Sequence, residues 1–193
     1  MARAQAILGG KTLPTFFSGH EADGTPARSG SHRHLAYAFD GPRSRLLVIA
    51  PHVLSPRSPS EPDSKNIELL GRVLVDFADL RAGPAGRLSL APAFETTDDP
   101  LLGPNKEWMS LTPYRANLHF RRANASAALA ADLRRSLVES GLPTPGVAIE
   151  AVSASNGLEA QARLQFPVPV EGLMLFGRTR HFGGGLFCPV PRT

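Results

Sequence analysis

The stretch Trp108–Phe166, WMSLTPYRANLHFRRANASAALAADLRRSLVESGLPTPGVAIEAVSASNGLEAQARLQF, decides the fold class of this chain. Trp108–Tyr114 reads as a strand and leads into a basic segment with His119, Arg121 and Arg122. Asn124 or Ser126 then offers a helix cap, and Leu129, Leu133 and Leu137 recur at four-residue steps as one apolar stripe. Gly141-Leu142-Pro143 is a stop signal, since glycine takes the left-handed conformation and proline cannot continue a helix. Val147–Val152 and Glu159–Phe166 follow as strands around Asn156-Gly157, and Leu173–Gly177 and Leu186–Val190 read as two more across a glycine-rich turn.

The first half repeats the theme. His34–Phe39 and Arg45–Ala50 flank Asp40-Gly41-Pro42 and predict a β-hairpin. After a Pro/Ser loop over 51–62, Ile67, Leu70, Leu74 and Phe77 predict a helix from about Asp63 to Arg81, ended by Gly83-Pro84. Arg87–Phe94 resumes an extended pattern, and residues 95–107 form an acidic connection. Helices and strands do not alternate strictly, so a doubly wound parallel sheet is disfavoured. The expectation is an α+β fold with antiparallel sheets and helices on one face, arranged as two ferredoxin-like lobes over 1–105 and 106–193.

Composition narrows the function. The 193 residues carry a net charge of +4, unevenly spread: seven basic against three acidic side chains over 1–60, five against nine over 61–107, and nine against five over 115–193. Basic outer portions, mostly arginine, suit an anionic partner, because guanidinium forks onto phosphate and stacks on bases. The single Cys188 excludes an internal disulfide and any cysteine-based zinc site, and its apolar neighbours predict a buried structural thiol. No run approaches the roughly 18 apolar residues of a membrane span, and the opening segment is too short in apolar residues for a secretory signal. A cytoplasmic protein with no membrane partner is expected.

Several motifs fail. Gly9-Gly10-Lys11-Thr12 resembles the tail of a phosphate-binding loop, but the glycine it requires upstream is Gln5. His32 and His34, with His20, form an incomplete zinc set that lacks both HExxH spacing and a cysteine partner, so no metal and no cofactor are expected. The hydrolase elbow G-x-S-x-G does not occur.

Four segments occur in order: Phe17-Ser18-Gly19-His20-Glu21-Ala22-Asp23-Gly24-Thr25-Pro26; Ser31-His32-Arg33-His34-Leu35-Ala36-Tyr37; Trp108-Met109-Ser110-Leu111-Thr112-Pro113-Tyr114 with His119; and Leu175-Phe176-Gly177-Arg178-Thr179-Arg180-His181-Phe182-Gly183-Gly184-Gly185-Leu186-Phe187. In order and spacing they resemble the carboxy-terminal half of the fused handle-binding and processing subunit of type I-G (I-U) CRISPR systems, of the RAMP superfamily. The resemblance spans about Phe16 to Pro189, with His20 and Ser31 departing from the family's usual residues. It implies a metal-independent endoribonuclease that cuts precursor CRISPR RNA within repeats. The cut would leave a 2′,3′-cyclic phosphate, and the protein would stay on the repeat hairpin beside backbone and handle-binding subunits of an interference complex. Two alternatives share its chemistry: a catalytically inactive RAMP-type RNA-binding subunit, and an RNA-binding module unrelated to CRISPR.

Metal-free RNA cleavage needs a base for the 2′-hydroxyl, an acid for the leaving 5′-oxygen and cations at the phosphate, roles suited to histidine and arginine. His34, His32 and His20 are the catalytic candidates, and on a strand His32 and His34 would share a face. Arg33, Arg115, His119, Arg121, Arg122, Arg178, Arg180, His181, Gly183, Gly184 and Gly185 are the RNA-binding candidates. The glycine run would let its amides meet an anion; otherwise it is a flexible turn, with His181 packed beside Phe182. Trp108 is expected in the core, while Tyr114 is open between core and base stacking.

Overall fold

The computed structural model describes residues 2–27, 34–54, 58–81, 83–93, 98–117, 124–153 and 158–191. Its helices are α1 (Ala2–Ile7), α2 (Thr15–Ser18), α3 (Pro51–Leu54), α4 (Glu61–Leu74) and α5 (Ala125–Glu139). Its strands are β1 (Ala36–Asp40), β2 (Arg45–Ile49), β3 (Asp79–Arg81), β4 (Arg87–Ser89), β5 (Asn105–Ser110), β6 (Tyr114–Arg115), β7 (Gly146–Ser153), β8 (Glu159–Val170), β9 (Met174–Leu175) and β10 (Leu186–Pro189). The fold is mixed α+β, and every pairing between strands is antiparallel. Among the described residues, no helix is long and apolar enough to cross a membrane.

The chain forms two compact units, and neither is one continuous segment. The first comprises Met1–Leu35, Ala50–His52 and Arg57–Glu95; the second comprises Ala36–Ile49, Val53–Pro56 and Thr96–Thr193.

In the first unit α4 opens with a capping box. The Ser60 hydroxyl accepts from the Asp63 amide and the Asp63 carboxylate accepts from the Ser60 amide, satisfying two orphan donors. The helix stops at Leu74, seven residues short of the expected Arg81. Asp76 adopts φ 55°, which breaks the helical path, and Arg3 donates to the carbonyls of Val75 and Asp76. Asp79–Arg81 instead pairs with Arg87–Ser89. The buried stripe of α4 is Leu69 and Val73, while Leu74 is exposed, so the inward face is rotated from the expected one.

The second unit holds the main sheet. β7, β8, β5, β10 and β9 lie side by side in that order. β6 continues the line of β5 along β8: Trp108 faces Leu164 and Tyr114 faces Ala160, with Leu111–Pro113 breaking the ladder between them. Helix α5 crosses from β6 to β7 and covers one face. Its Leu129, Leu133 and Leu137 are fully buried against Trp108, Ala162, Leu164, Phe166 and Phe187. Truncating any of these leucines to alanine costs about 2–5 kcal/mol by analogy with other cores. Asn124 is the cap residue by position but makes no side-chain cap bond. The expected hairpin forms with Phe39 opposite Leu46 and Tyr37 opposite Val48, and its Ala36, Ala38 and Ile49 cluster with Leu175 and Leu186 of the sheet.

Candidate functional site

The glycine-rich segment is an arch tied to the break between β5 and β6. Pro113 has no amide to donate, and the amides of Leu111 and Thr112 turn instead to the Leu186 carbonyl, at 2.7 and 3.2 Å. The Thr112 hydroxyl donates to the Gly183 carbonyl at 2.7 Å and accepts from the Leu186 amide at 2.9 Å. The Arg178 amide donates to the Arg115 carbonyl at 3.0 Å. The Thr112-Pro113-Tyr114 phrase is thus the clamp on the glycine-rich phrase, which accounts for both motifs at once.

Gly183 and Gly185 are among the glycines the arch requires. Gly185 has φ 72°, and a Cβ there would stand 1.9 Å from the Phe176 carbonyl oxygen. Gly183, at φ 84°, lies against β1, where a Cβ would meet the Tyr37 carbonyl oxygen at 2.9 Å. The amides, however, are not turned toward a ligand. Gly183 donates to Arg180, Gly184 to Thr179 and Gly185 to Pro113, at 3.3, 3.1 and 2.9 Å. The expected anion nest of free amides is therefore absent from the arch, because closing the loop consumes those donors.

What the arch does present is cationic and aromatic. Arg178 is exposed and Arg180 half-buried, and neither has a carboxylate partner among the described residues. Burial pushes the Arg180 guanidinium below its usual value, the sign of a charge taken partly out of water without compensation. Its Nε donates weakly, at 3.4 Å, to Nε2 of the buried His181. Phe182 is 86% exposed. His181 therefore belongs to the inside of the arch, with the phenylalanine beside it turned outward. Arg115 is half-buried and lies 3.8 Å from Glu159.

Beneath the clamp, Tyr114 is fully buried and belongs to the core. Its hydroxyl donates to the buried carboxylate of Asp132 at 2.7 Å. The same carboxylate accepts from the Asn117 amide at 2.8 Å and pairs with Arg135. Burial, then the bond to Asp132, pushes the Tyr114 phenol above its usual value. A second buried group joins Asp40, Arg45 and Asp99. The Arg45 Nη2 donates to Asp40 at 2.7 Å, and the guanidinium also pairs with Asp99. That pairing holds Asp99 below the usual carboxylate range and Arg45 above its own. The long-range members are not legible locally: Asp99 reaches Arg45 across 54 positions and Asp132 reaches Tyr114 across 18. Cys188 is half-buried, and burial raises its thiol.

The histidine candidates lie in the first unit. The Phe17–Pro26 phrase is a closed loop: Glu21 donates to Thr25 at 2.8 Å, and the Asp23 carboxylate accepts from the Thr25 amide and hydroxyl at 2.9 and 2.6 Å. Those bonds hold Asp23 below its usual value. The ring of His34 lies against Gly19, where a Cβ would come 2.6 Å from its Cδ2. Nδ1 of His34 is 2.9 Å from the Leu35 carbonyl, and Nδ1 of the exposed His20 is 2.8 Å from that of Ser18. A carbonyl only accepts, so each Nδ1 carries a proton, and a ring that is neutral then has its lone pair on Nε2. Both imidazoles are thereby set in the tautomer a general base uses. His32, Arg33, His119, Arg121 and Arg122 lie outside the described residues.

No family model, curated protein or solved structure matches the chain.

Proposed function

We propose that the chain is a RAMP-type RNA-binding subunit that processes precursor CRISPR RNA in the cytoplasm and holds the repeat hairpin through the glycine-rich arch of its second unit. The observation that carries this reading is the pair Arg178 and Arg180, without a carboxylate partner among the described residues, on a glycine-shaped arch with Phe182 exposed. A half-buried guanidinium with no acid beside it is suited to a phosphate, and an outward phenyl ring is suited to a base. The order of the main sheet also supports the reading. β5, α5, β7, β8 and β10 follow the connectivity of a ferredoxin-like unit, with β9 and a 3-10 turn standing where a second helix would come. The first unit contributes no second sheet of that kind among the described residues, only helices and the β3–β4 ladder.

Cleavage is assigned to the histidines. His34 and His20 have the tautomer for proton abstraction, and His32 completes the candidate set by sequence. Repeat RNA bound and cut once in excess EDTA, with a 2′,3′-cyclic phosphate end, is the expected result. Loss of the cut with retained binding in His34→Ala or His20→Ala would assign the chemistry. Tight binding with no cut in the wild-type protein would leave an architectural subunit of the same complex. Failure to bind repeat RNA, or binding unchanged in the Arg178→Ala/Arg180→Ala protein, would sink the reading of the arch.

A further inference from the structure

Strand β1 is built inside out. Along Ala36–Asp40 the residues turned inward are Ala36, Ala38 and Asp40, while Tyr37 and Phe39 face solvent, 36% and 57% exposed. Burial of apolar area would favour the opposite arrangement, with the large rings inside and the alanines out. Their cross-strand partners extend the patch: Leu46, 41% exposed, stands opposite Phe39, and Val48 stands opposite Tyr37. The Phe39 ring lies beside Gly41 of the turn, where a Cβ would be 3.7 Å away. The 3-10 turn Arg180–Phe182 packs against β1, and Gly183 touches the backbone of Tyr37 and Ala38. Phe182, 86% exposed, is the last residue of that turn, so a third exposed ring is carried on a segment packed against β1.

We infer that Tyr37, Phe39 and Phe182 form a stacking platform for unpaired RNA bases, with Arg178 and Arg180 taking the adjoining phosphates. The inference rests on the RNA-binding reading above and specifies which form of RNA is bound. Charge complementarity decides the occupant. Among the described residues Arg178 and Arg180 have no carboxylate partner, while Asp40, the acid on β1, is fully buried and paired with Arg45. Exposed flat rings and guanidinium groups on one unit are what a single strand requires, since every base has a face to stack and every nucleotide has a charge. A duplex has its bases already stacked and would use only the arginines.

The test is fluorescence anisotropy with an unstructured oligoribonucleotide and with a blunt RNA duplex of the same length, over a series of salt concentrations. The proteins are wild type, Tyr37→Leu, Phe39→Leu, Phe182→Leu and Arg178→Ala/Arg180→Ala, each checked for folding by circular dichroism. Leucine keeps the patch apolar but cannot stack. Each leucine variant is expected to weaken single-strand binding about tenfold with duplex binding and salt slope unchanged. The double arginine variant is expected to weaken both and to flatten the slope. If the leucine variants bind single strands like wild type while the arginine variant does not, the platform is wrong and the RNA reading survives; the patch then suits a protein partner. If the arginine variant also binds like wild type, both fail.

Discussion

Replacing Tyr114 by phenylalanine removes one hydroxyl from a buried polar group of the second unit. The ring stays in place, so the apolar core with Leu129, Leu133 and Phe176 is kept. What is lost is a 2.7 Å donation to the Asp132 carboxylate, which retains the Asn117 backbone amide and Arg135, and a weak 3.4 Å acceptance from the Asn117 side-chain amide, which retains Ser136. A hydrogen bond to a charged group contributes about 1.5–3 kcal/mol, so the variant should unfold that much more easily near neutral pH. The pH dependence makes the prediction sharper. The phenol's folded-state value lies above its ordinary 10.0, through burial first and Asp132 second. Above that ordinary value the unfolded chain loses its Tyr114 proton while the folded chain keeps it. The folded state then binds more protons, and stability falls as pH rises. By about pH 11 this removes about 1.4 kcal/mol from the wild type and nothing from the variant. Urea unfolding at neutral and alkaline pH should therefore show the gap between the two proteins closing. A gap that stays constant with pH would refute the proposed proton linkage at Tyr114. No loss at neutral pH would mean that the bond contributes nothing.

Two further outcomes concern Gly185 and Asp99 of the second unit, the first with a control in the other unit. Gly185→Ala places a Cβ 1.9 Å from a carbonyl oxygen at φ 72° and should cost at least about 2 kcal/mol, whereas Gly86→Ala, at φ 82° in open space, should cost only about 1 kcal/mol; thermal unfolding of both checks the contrast. Asp99 is held below the usual range chiefly by its bond to Arg45, so its contribution is present above about pH 4 and is lost as pH falls through its folded value. Asp99→Asn should flatten the acid limb of the stability profile, and an unchanged limb would contradict the pairing.

The hairpin and α5 were legible because their signals are local. Asp40-Gly41-Pro42 sets a turn, and Leu129, Leu133 and Leu137 repeat on one helical face. α4 was read too long because Phe77 continues an apolar spacing after Asp76 has already taken a left-handed conformation. The break at Thr112-Pro113 was not legible. It depends on the Leu186 carbonyl capturing two amides from more than seventy residues earlier, at positions 111 and 112. For the same reason the glycine run read as a set of open donors, although their acceptors are Arg180, Thr179 and Pro113. Tyr37 and Phe39 could be assigned to a strand from sequence, but alternation does not say which face is inward.

The interleaving of the two units has a consequence for biosynthesis. The ribosome delivers Ala36–Ile49 well before Leu175 and Leu186, which cover its inner alanines and follow it by more than a hundred residues. The hairpin must wait through the whole of Arg57–Glu95, a segment of the other unit, with both of its faces uncovered by those partners. Nor can one cut in the chain divide the units: wherever it falls between positions 36 and 95, one product carries the hairpin without its sheet or the other carries the sheet without its hairpin.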